Sequence, residues 1–334
     1  MSRLITYSLG LLSMVTPAMA DDVNIYSYRE PELIAPLTEA FTQETGIEVN
    51  VAYLSKGMVE RLKAEGRRSP ADVILTVDIS RLAEIVGQEL TQPVASATME
   101  ALVPEAYRDP NGHWYGVTTR ARVIYASKER VAPSDITTYE DLADPKWQGR
   151  ICTRSGTHAY NVALASAVMA HHGTDGARAW LKGIKENLAR KPQGNDRAQV
   201  KAIWAGECDI AIGNTYYMGK MLQDEEQQAW ASSVNVLFPT FENAGTHVNI
   251  SGVAMAKHAP NSENALKLME FLTSTAAQEL YAKANFEYPI APNAMPDPLV
   301  QSWGSFTADD INLMELAKLR KASINLIEEV GFDQ

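Results

Sequence analysis

The chain has 334 residues, 46% of them hydrophobic, which is ordinary for a globular protein and enough to build real cores. Its 41 acidic against 30 basic side chains give a net charge of −11, a surface that repels nucleic acid and anionic lipid. That balance excludes polyanionic partners and says nothing about a site.

In chain order, the first twenty residues read as an address. MSR is a short basic start, LITYSLGLLSMV an apolar run, and Ala18-Met19-Ala20 a small-x-small cleavage signal. Export to the periplasm is expected, with cleavage after Ala20. Position 21 is aspartate, so no lipid anchor is expected, and the apolar run is too short to span a bilayer. The remaining chain of about 310 residues suggests two lobes around a shared cleft.

Strand and helix signals then alternate. NIYSY (24–28) predicts a strand, and a helix over 32–45 is stopped by Gly46. IEVNVAYL alternates as a second strand, a helix over 56–66 follows, and ADVILTVD is a nearly continuous apolar run of the doubly covered kind. This βαβαβ order predicts an α/β fold with mixed sheets flanked by helices, and ligands in such sheets sit beyond the carboxyl ends of strands. After Trp114-Tyr115-Gly116 comes the β-rich VTTRARVIYAS; TYEDLAD carries a helical pattern, and RICTR is a strand. Helices are predicted over 159–172, 175–188, 196–205, 215–230, 261–284 and 307–329, with strands at CDIAIGN, VNVLFPT and HVNISGVAMAK. Two lobes fit this count: residues 21–120 with 250–300, and 121–249 with 301–334. The strands near 118–126 and 247–256 are the predicted hinge crossings.

Cys152 and Cys208 are the only two cysteines. In an oxidising compartment an even pair reads first as a disulfide, and both sit near predicted strand ends; two buried free thiols are the alternative.

GNTYYMGK sets Tyr216 and Tyr217 side by side just after an apolar strand. Neighbours on a strand face opposite ways, so a turn at the strand end, aiming both phenols into one cleft, makes better sense of the pair. RSGTHAYN places a third phenol, Tyr160, at the opening of the next helix, and packing with a hydrogen-bonded hydroxyl is its alternative. Phenol is a poor metal ligand until a hard, highly charged cation removes its proton, so converging phenols favour Fe(III) over softer divalent ions. Calcium or magnesium would call for carboxylates and carbonyls.

The chain resembles the periplasmic ferric-ion-binding proteins that feed iron importers of the ABC class. The motifs that carry the likeness are IYSYRE, FTQETGIEVNV, RSPADVILTVD, the TTRARV segment, NTYYMGK and EYPIAP, in that order over nearly the whole mature chain. The resemblance implies a hinged, two-lobed, type II-like periplasmic binding protein. It implies that Tyr216 and Tyr217 are iron ligands and that Tyr160 matches a third ligand tyrosine. Where many members carry a histidine ligand this chain has Glu30, with Pro31 at the position of a further tyrosine, and the acidic ligand of some members falls at Val77, beside Asp78. Three phenolates would then leave the other iron positions to water or an anion such as carbonate. Arg29 and Arg120 sit where the family places cationic groups, and a guanidinium grips an oxyanion through two parallel hydrogen bonds. A hinge salt bridge is the alternative for each, with Arg122 as the fallback, and Tyr28 is either a direct contact or cleft packing.

The expected function is therefore ferric-iron capture by a monomeric, non-enzymatic protein that docks on an inner-membrane permease. The rival with the same fold is an aromatic cage for an organic cation, polyamine or thiamine. A secreted hydrolase is a third class, but no nucleophile–base pair or phosphate loop is recognisable. His171-His172 reads as a solvated helix end.

Overall fold

The computed structural model describes residues 22–334; the export signal and its cleavage point lie outside them. Among the described residues no helix is long and apolar enough to cross a membrane. The strands are β1 (Val23–Ser27), β2 (Val49–Tyr53), β3 (Val73–Thr76), β4 (Thr91–Gln92), β5 (Tyr115–Ser127), β6 (Ile151–Cys152), β7 (Ile210–Asn214), β8 (Val234–Leu237), β9 (Val248–Ala256) and β10 (Tyr288–Pro289). The first helices are α1 (Pro31–Thr45), α2 (Met58–Glu65), α3 (Ile79–Gly87), α4 (Ala97–Leu102), α5 (Ala159–Asn187) and α6 (Asp196–Trp204). They are followed by α7 (Thr215–Leu222), α8 (Gln228–Ser232), α9 (Ser262–Thr273), α10 (Thr275–Asn285), α11 (Pro298–Gln301) and α12 (Leu313–Glu329).

The main sheet runs in the order β2-β1-β3-β9-β5-β7-β6. β1 pairs in parallel with β2 and β3, while β3 pairs antiparallel with β9, so the apolar VILT strand is central and buried along its length. β5 joins the two halves of the fold. Its first part pairs with β9 from Tyr115↔Val253 to Ala121↔Val248, and its second part with β7 from Arg122↔Asn214 to Ala126↔Ile210. The segments 118–126 and 247–256, predicted as crossings, fall on β5 and β9, which pair with each other. The C-terminal helix α12 packs against both α5 and α3, and so leans on each half.

Several elements differ from expectation for local reasons. The predicted helix over 215–230 breaks into α7 and α8, because the Asp224 carboxylate accepts from the backbone N–H of Glu226 and closes a turn. The final helix begins at Leu313 under an Asn312 cap, not at 307, because Thr307 and Asp309 exchange backbone hydrogen bonds with Thr246. TYEDLAD forms only a short 3₁₀ turn at Glu140–Ala143. The helices expected over 159–172 and 175–188 are the two arms of α5, broken at Gly173, whose φ of 69° and ψ of 179° are not helical and suit glycine. α3 and α4 had no predicted counterpart.

Cys152 and Cys208 are disulfide-bonded with Cα atoms 5.9 Å apart, tying the end of β6 to the approach to β7. The bridge closes a loop with a sequence separation of 56 residues. Replacing both cysteines with serine is expected to lower stability by about 2–4 kcal/mol, mainly by freeing the unfolded chain. An unchanged denaturation midpoint would show that the bridge constrains nothing the fold does not already hold.

Candidate metal centre

A cavity of about 530 Å³ opens between the carboxyl ends of β1, β2 and β3 on one side and three helix N-termini on the other. Those helices are α5, α6 and α7, whose first residues bring Tyr160, Asn195 and Arg197, and Tyr216 and Tyr217 to the lining. Their dipoles place positive ends at the cavity, where phenolate or another anion is favoured.

Tyr216 and Tyr217 lie in the first turn of α7, not on the strand, and both line the cavity; their ring centroids are 4.2 Å apart. The helix starts here because β7 ends at Asn214, whose backbone N–H donates to Asp196 (3.0 Å) and whose carbonyl accepts from the Tyr125 hydroxyl (2.5 Å). Gly219, one turn on, lets α7 lie against Phe286: a Cβ there would come within 2.1 Å of the ring. Lys220 then donates to the Ala284 carbonyl at the end of α10 (2.8 Å).

Tyr160 is the second residue of α5, capped by His158, whose Nδ1 accepts from the Tyr160 N–H (3.2 Å). Burial, then the charges of Arg154 and Arg122, bring that imidazole down to about 4, so it is neutral and free to accept. The hydroxyls of Tyr160 and Tyr216 meet at 3.1 Å. Two phenolates cannot share that distance without a cation between them. Burial, then neighbouring Tyr160, holds Tyr216 well above the ordinary phenol value, and burial and Tyr160 push Tyr217 up to about 12.

Behind Tyr160 lies a buried network absent from the sequence reading. Asp196, fully buried, accepts from Arg122 (3.0 Å) and Arg154 (3.1 Å), and the two guanidinium carbons stand 5.8 and 5.1 Å from the centre of the Tyr160 ring. Arg122 also donates to Asn161 and Asn214. As the fallback anion partner it is therefore already engaged.

The cavity floor is formed by Arg29, Arg120 and Glu287. Arg29 Nη2 donates to the Glu287 carboxylate (2.5 Å) and to Ser251 Oγ (2.9 Å). Arg120 is 2% exposed; Nη1 reaches Ser251 Oγ at 3.3 Å, and Nη2 is buried with no hydrogen-bond partner. Arg81, Arg197 and Lys220 add positive charge to the walls. None of these three, nor Glu287, was singled out from the sequence. Among the motifs that carry the resemblance, EYPIAP contains Glu287 and NTYYMGK contains Lys220.

The other residues considered from sequence sort differently. Tyr28 lines the cavity, but its hydroxyl accepts from the Met58 N–H (3.3 Å) and Arg81 stacks on its ring at 4.2 Å. Glu30 lies at the exposed rim. Asp78 is buried as the cap of α3, accepting from Ser80 N–H (2.8 Å) and the Asn249 side chain (2.8 Å), and does not line the cavity; Val77 does. His171 and His172 bond to Asp309 and Glu140 away from it. No cluster of three or more His, Cys, Asp or Glu side chains suited to a metal exists among the described residues. Phenols are thus the metal-binding groups that the cavity offers in number.

Residues 68–305 match the model of the bacterial extracellular solute-binding proteins. The chain belongs to that family. Within this solute-binding family it groups with iron-uptake and ferric-binding members. It is 43% identical to iron uptake protein A1 of Synechocystis over 95% of this chain and 89% of that protein. The crystal structure of Mannheimia haemolytica ferric iron-binding protein A in an open conformation superposes with a TM-score of 0.90 at 50% identity, covering 94% of this chain and 100% of that one. A Trichodesmium member solved in complex with iron and citrate ligands gives 0.89 at 40% identity, with 93% and 99% covered. The shared fold is the two-lobed periplasmic-binding-protein fold. Thiamine-binding relatives are more distant; that of Salmonella typhimurium is 23% identical over 77% of this chain and 76% of its own length.

Proposed function

We propose that the protein captures ferric iron in the periplasm, holding it with the phenolates of Tyr160, Tyr216 and Tyr217, and delivers it to an ABC-type permease in the inner membrane. The observation that carries this reading is the meeting of the Tyr160 and Tyr216 hydroxyls at 3.1 Å beside the adjacent, tilted Tyr217 ring, in a cavity without a carboxylate or histidine cluster. The names of the relatives support iron, and the iron- and citrate-bound Trichodesmium protein supports an accompanying anion. Arg120, with its unpartnered buried Nη2, is the group that would grip that anion. The protein acts as a binder and not as a catalyst.

The charges lining the cavity disfavour the organic-cation cage. Arg29, Arg81, Arg120, Arg197 and Lys220 face an incoming cation, and of the acids only Glu287 lies deep, already paired with Arg29. Only a cation that brings its own anions, or that converts phenols to phenolates, overcomes that field.

Colour is the direct test. Adding chelated Fe(III) to the metal-free protein is expected to produce a yellow-to-red phenolate-to-iron absorption band that saturates at one iron per chain. A colourless mixture containing no bound iron would overturn the reading.

A further inference from the structure

Asp196 is the first residue of α6, between Asn195 and Arg197, which line the cavity; its own side chain is not part of the lining and is 0% exposed. Its carboxylate meets donors from three segments. Oδ1 accepts from Arg154 Nη1 (3.1 Å), in the loop that leads into α5. Oδ2 accepts from Arg122 Nη1 (3.0 Å), on β5, and from the Asn214 N–H (3.0 Å), where β7 passes into α7. α5 and α7 are the helices that carry Tyr160 and the Tyr216–Tyr217 pair. Arg122 repeats the tie: Nη2 donates to Asn161 Oδ1 (2.6 Å), next to Tyr160, and Nη1 also donates to Asn214 Oδ1 (3.0 Å). Asn161 in turn donates to the carbonyls of Arg154 (3.0 Å) and Ser155 (3.1 Å), which closes the circuit around the entry to α5. Asn214 stands at the N-cap of α7, where asparagine ordinarily accepts from an amide of the first turn. It makes no such bond here, and its oxygen faces Arg122 instead. The helix thus forgoes its own cap for a bond that fixes where it starts.

We propose that Asp196 is the positioning residue of the phenol cluster: one buried carboxylate pins the starts of α5 and α7 to a common point, and so sets the 3.1 Å meeting of the Tyr160 and Tyr216 hydroxyls. It acts on the phenols through Arg154, Arg122 and Asn214. The disulfide joins the same two segments before β7; Asp196 joins them after it, at the end where the phenols stand. Side chains that orient metal-binding groups in this way govern a site without touching its occupant. The proposal deepens the iron reading and rests on it only for what the phenols hold.

The test has a metal-free arm and an iron arm. 3-Fluorotyrosine is placed at position 216, and its fluorine resonance is recorded with Tyr160 present and with Tyr160→Phe; the displacement between the two reports the contact of the hydroxyls. Asp196→Leu strands two buried guanidiniums, so it is expected to lower the denaturation midpoint as well as the fluorine displacement. The double variant Asp196→Leu with Arg154→Met removes one negative and one positive charge, so the network keeps its net charge and loses its ties. Replacing a buried ion pair by apolar groups of similar size commonly leaves a fold stable, and the midpoint is expected to return. Most of the fluorine displacement is still expected to be missing. Competition against a chelator is expected to show Fe(III) held about 10–100-fold more weakly, the loss usual when a side chain that orients a metal ligand is removed. If Asp196 served stability alone, displacement and affinity would return with the midpoint, and that result overturns the proposal. So does a wild type whose Tyr216 resonance ignores Tyr160→Phe, a variant in which neither readout moves, or a double variant that does not fold. Should Asp196→Leu alone fail to fold, the double variant decides. Failure of the wild type to take up Fe(III) sinks the iron reading instead; the fluorine measurement needs no metal and keeps the two failures apart.

Discussion

Tyr217→Phe is expected to lower the affinity for Fe(III) by more than about a hundredfold, because removing even an outer-shell partner of a metal ligand commonly costs 10–100-fold and this change removes the proposed ligand oxygen itself. Tyr216→Phe should do the same. Tyr28→Phe is expected to cost less than about tenfold: its hydroxyl accepts a bond from the Met58 N–H and its ring carries Arg81, so the cavity wall survives its loss. Competition against a chelator of known strength measures all three, and far-ultraviolet circular dichroism checks that the fold persists. Equal, small losses at Tyr217 and Tyr28 would show that the metal sits elsewhere.

The second large effect is on pH. Tyr217 is pushed up to about 12 and Tyr216 stands well above the ordinary phenol value, so both are neutral across the physiological range in the metal-free protein. Binding as phenolates releases a proton from each, and a group that must lose a proton to bind loses affinity as pH falls. These two protons alone make the apparent association constant fall at least about a hundredfold for each unit of acidification, as long as the pH is below both values. Iron loading in weakly buffered solution should therefore acidify it, and the absorption band should fade on mild acidification. A pH-independent affinity between pH 6 and 8 would mean that neutral groups hold the metal.

Much of this arrangement was legible in the sequence where the signal is local. The βαβαβ opening, the helix stop at Gly46 and the adjacent tyrosines after an apolar strand are contiguous features, and they place three phenols at element ends facing one cleft. The cysteine pairing was legible because it needed only compartment, parity and neighbouring strand ends. What escaped is long-range. Glu287 lies 258 positions from Arg29, and Asp196 stands 74 from Arg122, so only the folded chain reveals that each neutralises its partner. Asp78 sits beside a candidate ligand position, but its carboxylate is spent capping α3, a helix with no predicted counterpart. The break between α7 and α8 turns on how one side chain, Asp224, bonds to the backbone, and an acidic triplet reads equally well as solvated helix surface.

β5 is a thirteen-residue strand whose pairing with β9 ends at Ala121 and whose pairing with β7, on its other side, begins at Arg122. Arg120 and Arg122 flank that changeover on the same strand, one reaching the floor of the cavity and the other the network behind Tyr160. Rotation of one half of the molecule against the other must twist the backbone there. In the capture-and-delivery scheme proposed above, pivot and binding chemistry share a single stretch of chain, so swinging the halves apart would re-aim the two guanidiniums relative to each other.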